Sequence, residues 1–288
     1  MGGAIVLYFV ALRRLGPDLV DEGAPIATRR QIACFLGGVA LLWISSDYPV
    51  HDLAEKYLYS VHMVQHMLIT LAAPPLLLLG VPHWLQRWIL RPAPLAFVAK
   101  RLCRPLAAGS IYAVSVAISH SPAWVNATLE HHALHFFAHL AIFAAALIMW
   151  FPVVNTMPEY PRMSHPVKMV YLFLQSVIPN VPVAFLAFAN GVVYKYYATV
   201  PRPFSLSAVE DQQLAGAIMK LSGTLILWAV IVGVFFTWFR EEHGPVNAPP
   251  PKRVADGEAP VLPEVLTWDH VERELSRSPS SPSSQQPH

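Results

Sequence analysis

Residues 57–80 read Tyr-Leu-Tyr-Ser-Val-His-Met-Val-Gln-His-Met-Leu-Ile-Thr-Leu-Ala-Ala-Pro-Pro-Leu-Leu-Leu-Leu-Gly, with no Asp, Glu, Lys or Arg among them. A stretch this long and free of charge satisfies the roughly 20-residue requirement for an α-helix crossing a bilayer core. The rest of the 288-residue chain agrees: 55% of its residues are hydrophobic and 13% charged, where a soluble domain carries about 25% charged residues. Mean hydropathy is +0.43. A net charge of +2 gives no reason to expect nucleic acid as a partner. The two cysteines, Cys34 and Cys103, make no disulfide framework and sit in no paired metal motif.

Working outward from that stretch, the sequence predicts an all-α, polytopic membrane bundle of about seven transmembrane helices. The expected spans are Gly3–Leu12, Gln31–Tyr48, Tyr57–Gly80, Pro105–Trp124, His132–Val154, Val167–Gly191 and Leu214–Phe239. Pro74-Pro75 and Pro179-Asn180-Val181-Pro182 are expected to bend or break their helices, because proline lacks the backbone donor. Lys and Arg concentrate in one set of loops: Arg13, Arg14, Arg29 and Arg30, then Arg87 to Arg104, then Arg162 and Lys168. The positive-inside rule makes that set cytoplasmic, with the N-terminus outside and the C-terminus inside a bacterial plasma membrane. Met1–Val10 lacks a positive region before its apolar run, so no cleavable signal is expected, and the run is short for a full span.

Residues 1–242 are read as the membrane domain and 243–288 as a cytoplasmic tail. His243–Pro260 and Ser276–His288 are rich in Pro, Ser and polar residues, a composition that stays disordered. Between them, 263–275 has the pattern of a short amphipathic helix.

Imidazole in hydrocarbon needs a physical reason. Positions four apart share a helix face, so His62 stacks with His66 and Met63 with Met67. On the fifth span His131, His132, His135 and His139 fall within an arc of about 100°. Depth matches as well: at 1.5 Å per residue, His66 and His139 each lie about 12–13 Å below the outer end of their span. With His51 and His120, eight of the thirteen histidines gather toward one membrane face. Imidazoles near thioethers suit copper, and zinc accepts several imidazoles. His62, His66, His135 and His139 are therefore the predicted ligands, with His120, His131, His132, Met63, Met67 and Asp211 as further candidates. Asp47, Asp52, Glu55, Glu130 and Glu210 are candidate partners for ring N–H groups. A b-type cytochrome with two imidazoles on haem iron is the rival, weakened because neither Tyr57–Leu79 nor His131–Val154 contains the glycine that would make room for porphyrin. A metal-free scaffold with a hydrogen-bonded histidine network is a third reading.

The segment from His62 through Pro74-Pro75-Leu-Leu resembles the CtaG-type cytochrome c oxidase assembly factors. So do His135-x-x-x-His139 ahead of Trp150-Phe-Pro-Val, Glu210-Asp-Gln-Gln-Leu-Ala-Gly-Ala-Ile-Met, and Leu266-Thr-Trp-Asp-His-Val-Glu-Arg-Glu-Leu. The resemblance covers nearly the whole chain from about Tyr8. Phe151 and Lys220 stand where that family more often has Trp. The likeness implies a non-enzymatic plasma-membrane protein needed for active haem–copper oxidase. Its implied partners are the lipid bilayer, the oxidase catalytic subunit and a periplasmic copper donor.

Overall fold

A computed structural model of the chain describes residues 2–21, 23–155, 157–201 and 205–243, apart from the side chains of residues 180 and 182. The described residues form helices and connecting turns, with no strand among them. In chain order the helices are α1 (Gly2–Leu19), α2 (Arg29–Ser46), α3 (Val50–Lys56) and α4 (Tyr59–Met67). A π-helical turn, Leu68–Ala72, leads into α5 (Ala73–Gly80). Then come α6 (His83–Ile89), α7 (Ala93–Leu102), α8 (Pro105–Ser119), α9 (Pro122–Glu130) and α10 (His132–Val154). Last are α11 (His165–Val177), α12 (Asn180–Ala187), α13 (Lys195–Thr199) and α14 (Ala208–His243). The expected tail and its amphipathic segment lie, beyond His243, outside the described residues.

Three rods are long and apolar enough to cross a membrane: Tyr59–Gly80, His132–Val154 and Ala208–His243. Counting α2 with α3, bent by 43°, and α7 with α8, bent by 80°, as single spans raises the number to five. Seven spans were expected, and two of them fall short for visible reasons. Helix α1 carries Arg13, Arg14 and Asp18 within its 18 residues. The sixth expected span is interrupted at Ile178-Pro179, between α11 and α12.

The rod bearing His62 and His66 changes pitch at Leu68–Ala72, just ahead of Pro74-Pro75. In an α-helix the Thr70 carbonyl would pair with the amide of residue 74, and in a π-helix with that of residue 75. Both are proline, so neither pitch supplies a donor. The indole Nε1 of Trp150, on α10, donates to that carbonyl at 3.1 Å. The helix meanwhile widens so that the Ala73 amide reaches Leu68, a π-bulge of the kind found at functional sites. Trp150 is 1% exposed. Trp150→Phe keeps the ring but strands the carbonyl, so the variant is expected to lose about 1–3 kcal/mol of stability. Thermal unfolding in detergent measures this, against the half-exposed Trp88→Phe, which should change little.

Close backbone approach holds the helices together elsewhere. A Cβ on Gly38 of α2 would sit 2.7 Å from Leu77 Cγ, and one on Gly80 would meet the backbone of Phe35. Small residues permit this contact where the hydrophobic effect between helices is weak. Tyr8 of α1 stacks on Phe35 with centroids 3.8 Å apart and donates to the Gly80 carbonyl at 2.9 Å. Helix α10 packs along both α8 and α5. The main core runs through Tyr59, Met63, Met67, Met149, Trp150 and Leu172. Arg87 of α6 pairs with Glu159, in the loop after α10, at 2.8 Å. The Glu159 backbone N–H and that guanidinium hold its carboxyl below the usual carboxylate range.

Candidate metal centre

Helix α4 carries half of the histidine group, and the far end of the chain fixes its start. Residue Leu58 precedes α4 and offers no side-chain cap. The first amides of a helix need acceptors, and Asp211 of α14 supplies them. Its Oδ2 accepts from the Tyr59 amide at 2.8 Å and its Oδ1 from the Ser60 amide at 3.0 Å. A carboxylate at a helix N-terminus is favoured by the dipole as well. Asp211 is fully buried. It was a candidate ligand by sequence, and the structure instead commits both oxygens to orienting the helix that holds His62 and His66. One turn past His66, the Thr70 hydroxyl donates to the His66 carbonyl at 2.7 Å.

His62, His66, His135 and His139 converge. Ring centroids are 4.6 Å apart for His62–His66, 4.4 Å for His135–His139, 4.9 Å for His66–His139 and 5.4 Å for His62–His135. One nitrogen from each of His62, His66 and His139 lies within 4.8 Å of the other two. This is the one such grouping of His, Cys, Asp or Glu among the described residues. His135 Nε2 stands 3.0 Å from His139 Nε2. Two nitrogens each about 2.0–2.1 Å from one ion, at tetrahedral or square angles, lie about 2.8–3.3 Å apart. The His135–His139 pair already has that spacing, and the nitrogens of His62, His66 and His139, within 4.8 Å of one another, need to close by at most about 1.5 Å to reach it.

Buried polar atoms are almost always paired, yet His62 Nδ1, His66 Nδ1 and His120 Nε2 have no hydrogen-bond partner. His120 lies at the end of α8, with its ring 6.0 Å from that of His66. Its Nδ1 is 2.7 Å from the Val116 carbonyl. A carbonyl oxygen can only accept, so this contact places the proton on Nδ1 and leaves Nε2 as a lone-pair donor, as the outer partner of a metal-binding imidazole does.

The remaining candidates separate by position. His131 caps α10 and is exposed, and the His132 side chain is 91% exposed. Both stand outside the buried group. Met63 and Met67 pack into the main core. Among the acidic residues, Glu55 is the one that reaches the histidines, 3.3 Å from both His51 and His135. Gln65 was overlooked. Fully buried, it donates to the Ser45 carbonyl at 2.7 Å and lies 3.2 Å from His51 Nδ1. The signal was there: an amide one residue before His66 in a run otherwise nearly free of polar groups.

Space narrows the chemistry. Cavities of about 20 and 30 Å³ adjoin His62, His66 and His139. The rings stand 4.4–4.9 Å apart across and along the two helices, a separation that an ion can bridge. An all-imidazole donor set suits copper or zinc.

Comparison with known proteins supplies the lineage. The chain is 24% identical to an uncharacterized protein of Mycobacterium leprae over 84% of this chain and 38% of that protein. It is 25% identical to uncharacterized proteins of Mycobacterium bovis and Mycobacterium tuberculosis, over 93% of this chain and 41% of theirs. The chain thus spans about two fifths of the length of these relatives. No solved structure matches it. The model of the cytochrome c oxidase caa3 assembly factor family matches residues 6–241, and the chain belongs to that family.

Proposed function

We propose that this protein is a copper-handling assembly factor for a haem–copper cytochrome c oxidase and not an enzyme. His62, His66, His135 and His139 hold the ion as cargo, with His120 assisting. The protein takes copper from a periplasmic donor and passes it laterally to the oxidase catalytic subunit. In this reading the broken and charged helices complete a seven-span bundle, with the site near the outer face, the N-terminus outside and the C-terminus in the cytoplasm. The observation that carries the proposal is the convergence of buried imidazoles from two apolar rods, with three ring nitrogens left without partners. Exchangeable neutral ligands suit cargo that must be released.

Metal analysis and a visible spectrum of the purified protein test it. Copper retained after dialysis, with no Soret band, is the expected result. A Soret band would establish the cytochrome reading. Metal-free protein that still restores oxidase activity to a deletion strain would establish the scaffold.

A further inference from the structure

The buried group continues outward through Glu55. Its side chain is only 12% exposed, and its ionisable contacts are imidazoles: His51 Nε2 at 3.3 Å, His135 Nε2 at 3.3 Å and His132 Nδ1 at 3.9 Å. The neighbouring Lys56 turns its ammonium to Asp52, 3.1 Å away. No Lys or Arg pairs with Glu55 among the described residues. These groups line a cleft of about 440 Å³ between α2, α3 and α10 that continues to His139.

We propose that His51, Glu55 and His132 form an outer cation station, sharing His135 with the buried group, that captures cupric ion and hands it inward by ligand exchange. The proposal rests on the buried copper site argued above. A carboxylate with imidazoles is a mixed nitrogen–oxygen set of the kind that Cu(II) accepts. Its charge at the cleft wall raises the local cation concentration. His135 Nε2 is the hinge of the transfer, 3.3 Å from Glu55 Oε1 and 3.0 Å from His139 Nε2. An ion on His135 can exchange Glu55 for His139 without losing its imidazole. No bond other than metal–ligand bonds forms or breaks, and the copper keeps its oxidation state.

Titration of the full-length protein in detergent with cupric ion alone, read by equilibrium dialysis and EPR, tests the station. The wild type is expected to take up two equivalents, one with a mixed nitrogen–oxygen signature. His51→Ala/His132→Ala is expected to take up one, and Glu55→Gln to lose the mixed signature, both with unchanged circular dichroism. A wild type whose single equivalent lacks the mixed signature and is retained by His51→Ala/His132→Ala overturns the station. So does His51→Ala/His132→Ala taking up two. Failure of the buried site shows differently: His66→Ala/His139→Ala then takes up as many equivalents as the wild type, while the signal governed by His51 and Glu55 stands.

Discussion

His66→Ala/His139→Ala is expected to abolish copper retention at the buried site and to leave oxidase activity at the level of a deletion strain. The two side chains come from different rods, with ring centroids 4.9 Å apart, so neither helix alone can replace what is lost. Removing even an outer partner of a metal ligand typically costs about 10–100-fold in affinity, so loss of two ligands should exceed about 100-fold by the same scale. Equilibrium dialysis against a competing chelator measures this directly. Met63→Leu is the informative control. Met63 is 1% exposed within the core, and a volume-conserving swap costs less than about 1.5 kcal/mol. Full retention by Met63→Leu would assign the ion to imidazole, and its loss would bring thioether into the ligand set.

Asp211→Leu is expected to be the most destabilising single substitution. It removes both acceptors from the first amides of α4 and leaves them in a fully buried position. Hydrogen bonds to charged groups contribute about 1.5–3 kcal/mol each, so a loss of about 3–6 kcal/mol follows from the two. The melting temperature in detergent should fall by roughly 10 °C. Copper affinity should fall with it, because His62 and His66 ride on the freed turn. Asp211→Asn keeps one acceptor and should lie between the two. Copper affinity that stays normal at temperatures where Asp211→Leu is still folded would separate the cap from the site.

Much of this was legible in residues 57–80 and 132–154. Helical periodicity alone stacks His62 on His66 and His135 on His139, and the α10 bounds were readable from apolar length. That the two rods touch was not, because span order does not fix which helices are neighbours. Nor was the part played by Asp211, whose partners are 152 and 151 residues away in sequence. Helical spacing reports only neighbours on the same rod. Glu55 was one of several acids near the histidines, and only the approach of His132 and His135 of α10 to α3 singles it out. In span counting, composition and geometry pull apart: three rods qualify outright and up to five with the bent pairs. Arginines inside α1 and the proline at residue 179 make short or charged helices from segments that read as apolar runs.

The grip of Asp211 on Tyr59 and Ser60 also sets an order of events during synthesis. The ribosome delivers His62 and His66 early and His139 midway, but the carboxylate that aims the first pair emerges some 150 residues after it. A nascent chain therefore holds these imidazoles before it holds the geometry. On the proposed reading, copper loading is expected only once residue 211 has been made, and truncation before it is expected to leave the imidazoles of α4 without the carboxylate that aims them.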